Sequence, residues 1–78
     1  MDWKNHIETD PEICGGRPRI KATRLTVEFL LGLMATGWSE ARILEDYPHI
    51  TDDDLRAVFA FAQDLIKEEK YLILPQEA

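Results

Sequence analysis

Long apolar runs, paired cysteines and an excess of positive charge are all missing from this 78-residue sequence, and each gap removes a class of protein. No stretch of 18 apolar residues exists, so no membrane-spanning helix is expected. The opening residues, Met1-Asp-Trp-Lys-Asn-His6, lack the apolar core of a signal peptide, which predicts a cytoplasmic, reducing location. Cys14 is the only cysteine and cannot close an internal disulfide. With His6 and His49 it does not form the clustered spacing of a zinc site, and both histidines read as loop residues. Ser39 is the only serine and its neighbours mark it as a helix cap, while no glycine-rich phosphate loop carries a lysine. No catalytic residue, metal or cofactor is expected, and Cys14 reads as a structural thiol with no general base beside it.

What remains is one small domain. A chain of this size buries only about 60 to 65% of its unfolded surface, too little to divide between two cores. Lacking a disulfide or a metal, it is expected to gain stability by forming a homodimer. The net charge of −6 is unevenly spread. Up to Thr26 there are five Lys or Arg against four Asp or Glu, or +1; from Val27 onward there are four against eleven, or −7.

The basic character gathers in a constrained stretch. Asp10-Pro11 reads as a turn start, Gly15-Gly16 permits positive φ, and Arg17, Arg19, Lys21 and Arg24 follow within eight positions. Arg17–Ile20 and Arg24–Val27 read as two extended segments joined by Lys21-Ala-Thr23, a ribbon that needs helices or a partner chain to lean on. Before it, Met1–Asn5 reads as loose, with Trp3 able to cover a hydrophobic edge, and His6–Thr9 is β-permissive.

Three helices are expected beyond the ribbon. Thr26 caps the first, with Glu28 opposing the dipole, an apolar stripe at Val27, Leu30, Leu31, Leu33 and Met34, and a stop at Gly37. Ser39 and Glu40 start the second, whose buried face is Ala41, Ile43, Leu44 and Tyr47, and Pro48 ends it. Thr51 caps the third, Asp52, Asp53 and Asp54 fill its first turn, and Leu55, Val58, Phe59, Ala62, Leu65 and Ile66 recur at three- and four-residue steps. Tyr71-Leu-Ile-Leu74 is an apolar run ended by Pro75. The predicted architecture is α+β, mostly α: a single domain over 1–78, with a β-hairpin at 7–26, a three-helix bundle at 27–70 and a tail at 71–78. The bundle's spacing is that of a helix-turn-helix unit.

Candidate contacts follow from charge and exposure. Asp52, Asp53 and Asp54 would meet phosphates if the third helix entered a DNA groove, so that helix is a poor reader; cap and dipole roles explain them without a partner or Mg²⁺. The ribbon is the better DNA candidate, through Arg17, Arg19, Lys21 and Arg24, although cations also suit a solvated strand edge. Phe29 and Phe61 fall off the main stripes and, with Tyr71, Leu72, Ile73 and Leu74, are candidate partner contacts, the alternative being that the tail folds onto its own core.

The run Asp10-Pro-Glu-Ile-Cys-Gly-Gly-Arg-Pro-Arg-Ile-Lys-Ala-Thr-Arg-Leu-Thr-Val27, with Gly37-Trp-Ser-Glu40 and Tyr47-Pro-His-Ile-Thr51 before the Asp-rich helix start, resembles the DUF433 family over residues 7 to 66. The resemblance implies a homeodomain-like fold behind an N-terminal β-hairpin, and an antitoxin role paired with PIN-like ribonuclease toxins. Operator DNA, met through the basic ribbon, is the second expected partner, with a stand-alone transcription regulator or an oligomeric structural protein as alternatives. Ala22 stands where the family usually has Gly, at a cost of about 1 kcal/mol if that position needs positive φ.

Overall fold

The computed structural model describes residues 1–68, and the apolar run Tyr71–Leu74 lies outside them. A single 3₁₀ turn, Trp3–Asn5, leads into strand β1 (Ile7–Glu8). A second 3₁₀ turn, Cys14–Gly16, leads into β2 (Arg19–Ile20), and helices α1 (Val27–Ala35), α2 (Glu40–Asp46) and α3 (Asp52–Lys67) complete the order. The fold is α+β and mostly helical, an antiparallel hairpin followed by three helices.

The helix boundaries follow local chemistry. The Thr26 hydroxyl accepts from the Phe29 amide at 3.0 Å to open α1. Its end is a Schellman closure: Gly37, at φ +105°, lets its own amide reach the Met34 carbonyl at 3.1 Å and the Trp38 amide reach that of Leu33 at 3.0 Å. Ser39 accepts from the Arg42 amide at 3.1 Å to start α2. Tyr47, at φ −126° and ψ 72°, leaves the helical region ahead of Pro48 and follows its last residue. At α3 the capping box is complete, with Asp54 N–H on the Thr51 hydroxyl at 3.2 Å and Thr51 N–H on the Asp54 carboxylate at 2.9 Å.

Strand pairing departs from the expected ribbon. β2 pairs with β1, in the register Ile7 opposite Ile20 and Glu8 opposite Arg19. The segment after Arg24 joins by a single bridge, Arg19 to Thr26, with Ile20 N–H on the Leu25 carbonyl and Val27 N–H on that of Pro18, both at 2.9 Å. Thr26 is already the cap of α1, so its segment turns into the helix before a second ladder can grow. The sharp connection is closed by Thr23 N–H on the Ile20 carbonyl at 3.1 Å, and Ala22 sits in it at φ +63°.

Ile7 and Ile20 point into the bundle and join Val27 and Leu30 of α1, Ile43 of α2, Ile50, and Leu55, Ala57 and Val58 of α3. Leu30, Ile43, Leu55 and Val58 are wholly enclosed, and burying each contributes about 1.5–3 kcal/mol. Ala41 is exposed, contrary to the expected α2 face.

The face that α3 buries is also turned from the expected one. Phe59, Leu65 and Ile66 are exposed, while Ala57 is fully buried and Phe61 half-buried. The cause is the N-terminal segment, expected to be loose but docked on α3. Trp3 meets Phe61 edge-to-face with ring centroids 4.8 Å apart, and its indole N–H donates to Asp64 at 2.6 Å. His6 Nδ1 lies 2.8 Å from Asp54 Oδ1, so the same carboxylate caps the helix and holds the hairpin's leading strand.

Candidate functional site

Two surfaces gather the groups that chemistry singles out: the basic hairpin and the outer face of α3. On the hairpin, Asp10 shapes the entry through its carboxylate, which accepts from the Glu12 amide at 2.9 Å, and its carbonyl, which accepts from the Ile13 amide. The Cys14–Gly16 turn follows, all three residues with positive φ. Cys14 is half-buried, its thiol 3.7 Å from the Arg24 carbonyl.

The four cations then separate. Arg17 pairs with Glu28 at 3.3 Å with both side chains mostly in water, an interaction worth little. Lys21 and Arg24 are exposed. Arg19, expected on the DNA-facing set, is 5% exposed and belongs to the interior. Its Nη1 donates to Glu8 Oε1 at 3.0 Å and to the Thr23 carbonyl at 3.2 Å, tying β1, β2 and the turn together. Pairing across the ladder places Glu8 opposite it, which spacing along the chain did not reveal. Arg19 Nε is enclosed and meets no acceptor among the described residues, a deficit of about 1–3 kcal/mol unless something occupies it. An open surface pocket of about 400 Å³ is lined by Ile13, Arg19, Ala22, Thr23 and Arg24.

The outer face of α3 carries what the sequence reading placed in the core. Phe59, Ala62 and Ile66 share one side of the helix, with Leu65 beside them at its C-terminal end, and Phe59, Leu65 and Ile66 are 45%, 43% and 59% exposed. Nothing in the spacing warned of this, because the set from Leu55 to Ile66 keeps to an arc of about 120°, ordinary for a helix facing a core. Of the predicted contact residues, Phe29 is 42% exposed and touches Tyr47 edge-on at 6.0 Å, whereas Phe61 is engaged by Trp3. Tyr71, Leu72, Ile73 and Leu74 lie outside the described residues. Arg42 stacks over Trp38 at 3.7 Å and is thereby committed within its own helix end.

Among the described residues no three His, Cys, Asp or Glu side chains converge as a metal site, and no helix is long and apolar enough to cross a membrane. The arrangement is thus a small α+β domain whose constrained hairpin is locked to three helices and whose last helix shows an apolar outer face. The chain belongs to the DUF433 family, described as a protein of unknown function, whose sequence profile matches residues 7–62. It is similar to a DUF433 member protein from Anabaena variabilis of known crystal structure, with 30% identity and a TM-score of 0.77 over 86% of this chain. The chain spans 66% of that protein's length. No protein of curated function matches it.

Proposed function

We propose that this chain is a non-catalytic, antitoxin-like module that forms a homodimer and binds a basic PIN-like ribonuclease. The observation that carries the reading is the outer face of α3, where Phe59, Leu65 and Ile66 stand in water on a chain of net charge −6. Exposed apolar groups on one helix face favour docking of a protein, and the net charge of −6 steers a cationic partner and repels nucleic acid. Tyr71 to Leu74 extend the apolar character along the sequence.

Operator DNA is the second contact in this reading, through Arg17, Lys21 and Arg24; the exposure of Lys21 and Arg24 beside the hairpin turn favours it. A stand-alone helix-turn-helix regulator is the rival, with α2, the turn and α3 as its unit. The three aspartates in the first turn of α3 count against it.

Co-expression with the product of the adjacent gene is the test. A PIN-like protein encoded there is expected to co-purify, and the double variant Phe59→Glu/Ile66→Glu, at exposed positions, is expected to release it while keeping its helical circular dichroism. A PIN-like neighbour that fails to bind ends the antitoxin reading. A salt-dependent, sequence-specific complex with DNA that survives Arg17→Ala, Lys21→Ala and Arg24→Ala would end the hairpin's part in it.

A further inference from the structure

The core-facing row of α3 outruns the core. Val58 and Leu65 stand seven residues apart, two turns along one side of the helix, yet Val58 is wholly buried and Leu65 is 43% exposed. Phe59 and Ile66 repeat the seven-residue step on the adjoining side, at 45% and 59% exposed, with half-buried Ala62 between them. Among the described residues nothing encloses this half of the helix. Four positions after Lys67 the sequence becomes apolar again, Tyr71-Leu-Ile-Leu74, and Pro75 ends the run.

Reach and size both fit this segment to that face. Phe59 precedes Lys67 by eight residues, about 12 Å along the helix axis, whereas six residues of extended chain from Lys67 to Ile73 span up to about 20 Å. Phe59, Leu65 and Ile66 together leave roughly 300 Å² in water, against roughly 800 Å² per partner in a stable interface, so two copies paired on this patch alone fall short of area. Four apolar residues are of matching size. A tether of three residues, Glu68 to Lys70, holds them at an effective concentration on the order of millimolar and avoids the translational cost of a separate chain. We infer that Tyr71–Leu74 fold back along α3 and occupy the face of Phe59, Ala62, Leu65 and Ile66, with Ile73 on Phe59 and Tyr71 against Ile66. The contact needs no second chain; its consequence, that the tail guards this face until an arriving protein displaces it, rests on the docking reading above.

Carbon-13-edited nuclear Overhauser spectra of the full chain test the contact. Cross-peaks are expected from the Ile73 methyls to the Phe59 ring and from the Tyr71 ring to the Ile66 methyls. In an equimolar mixture of labelled and unlabelled chain, isotope-filtered spectra are expected to show none of them between copies. Ile73→Asp is expected to lose the Phe59 cross-peaks while keeping its helical circular dichroism; should that variant fail to fold, the wild-type spectra decide alone. A helix continued through Leu74 would hold Ile73 about 21 Å from Phe59, too far for any cross-peak, so absence of the Ile73–Phe59 signal overturns the inference. Cross-peaks found only between copies overturn it as well, because they give the face to a second chain. Neither readout involves a ribonuclease: the tail contact can fail while a partner still co-purifies, and it can hold while none does.

Discussion

Replacing Ala22 with Gly should make the protein more stable, although it removes a side chain. Ala22 holds φ at +63° in the turn closed by the Thr23 amide on the Ile20 carbonyl. In that left-handed region a Cβ crowds the following carbonyl at a cost of about 1–2 kcal/mol, which Gly avoids. Against this, Gly gives the unfolded chain more freedom, returning about 0.5–1 kcal/mol. Ala22 is exposed, so little packing is lost, and the net is a gain of about 1 kcal/mol. For a chain of this size that raises Tm by roughly 4–8 °C. Differential scanning calorimetry, with urea titration as a second measure, reads the change. A Tm equal to or below that of the wild type would mean that the turn does not hold Ala22 in the left-handed region, and with it the geometry of the hairpin corner would fall.

Three further perturbations test other parts of the fold. Gly32→Ala, inside α1 where an added methyl meets nothing within 4 Å, should stabilise by about 0.5–1 kcal/mol in urea melts, the opposite exchange from Ala22→Gly with the same sign of effect. Trp3→Ala removes the edge-to-face contact with Phe61 and the 2.6 Å bond to Asp64, and should cost about 2–3 kcal/mol. A loss below about 0.5 kcal/mol would show the N-terminal turn undocked from α3, and Trp3→Phe should recover the packing share alone. Glu8→Gln leaves the buried Arg19 guanidinium without its counter-charge; because Glu8 is 41% exposed and water screens part of the loss, the expected cost is about 2 kcal/mol by chemical denaturation. No measurable change would place Arg19 in solvent.

The parts of this protein that depend on neighbouring residues were legible in the chain. Thr26, Ser39 and Thr51 cap the helices they were expected to cap, and Gly37 closes α1, because an orphan amide or carbonyl at a helix end is satisfied within four or five residues. At Ala22 the sequence raised only a condition, a cost if the position needs positive φ, and the structure supplied the angle of +63°. The family was legible for the same reason, its signature lying in the constrained Asp10–Val27 run.

Contacts between distant segments were not. Phe59 and Phe61 exchange roles because Trp3 and β1, some fifty residues earlier, cover one flank of α3 and leave the other in water; a 3.6-residue repeat gives a stripe but not the side from which a neighbour arrives. Arg19 looked like its basic neighbours until the β1–β2 register set Glu8 against it and buried both its charge and one unanswered donor. Caps, turns and family were thus determined by the sequence alone, since their physics is local. Which cation is internal and which helix face stays in water were decided only by the tertiary structure, since burial is a property of the neighbours a residue acquires.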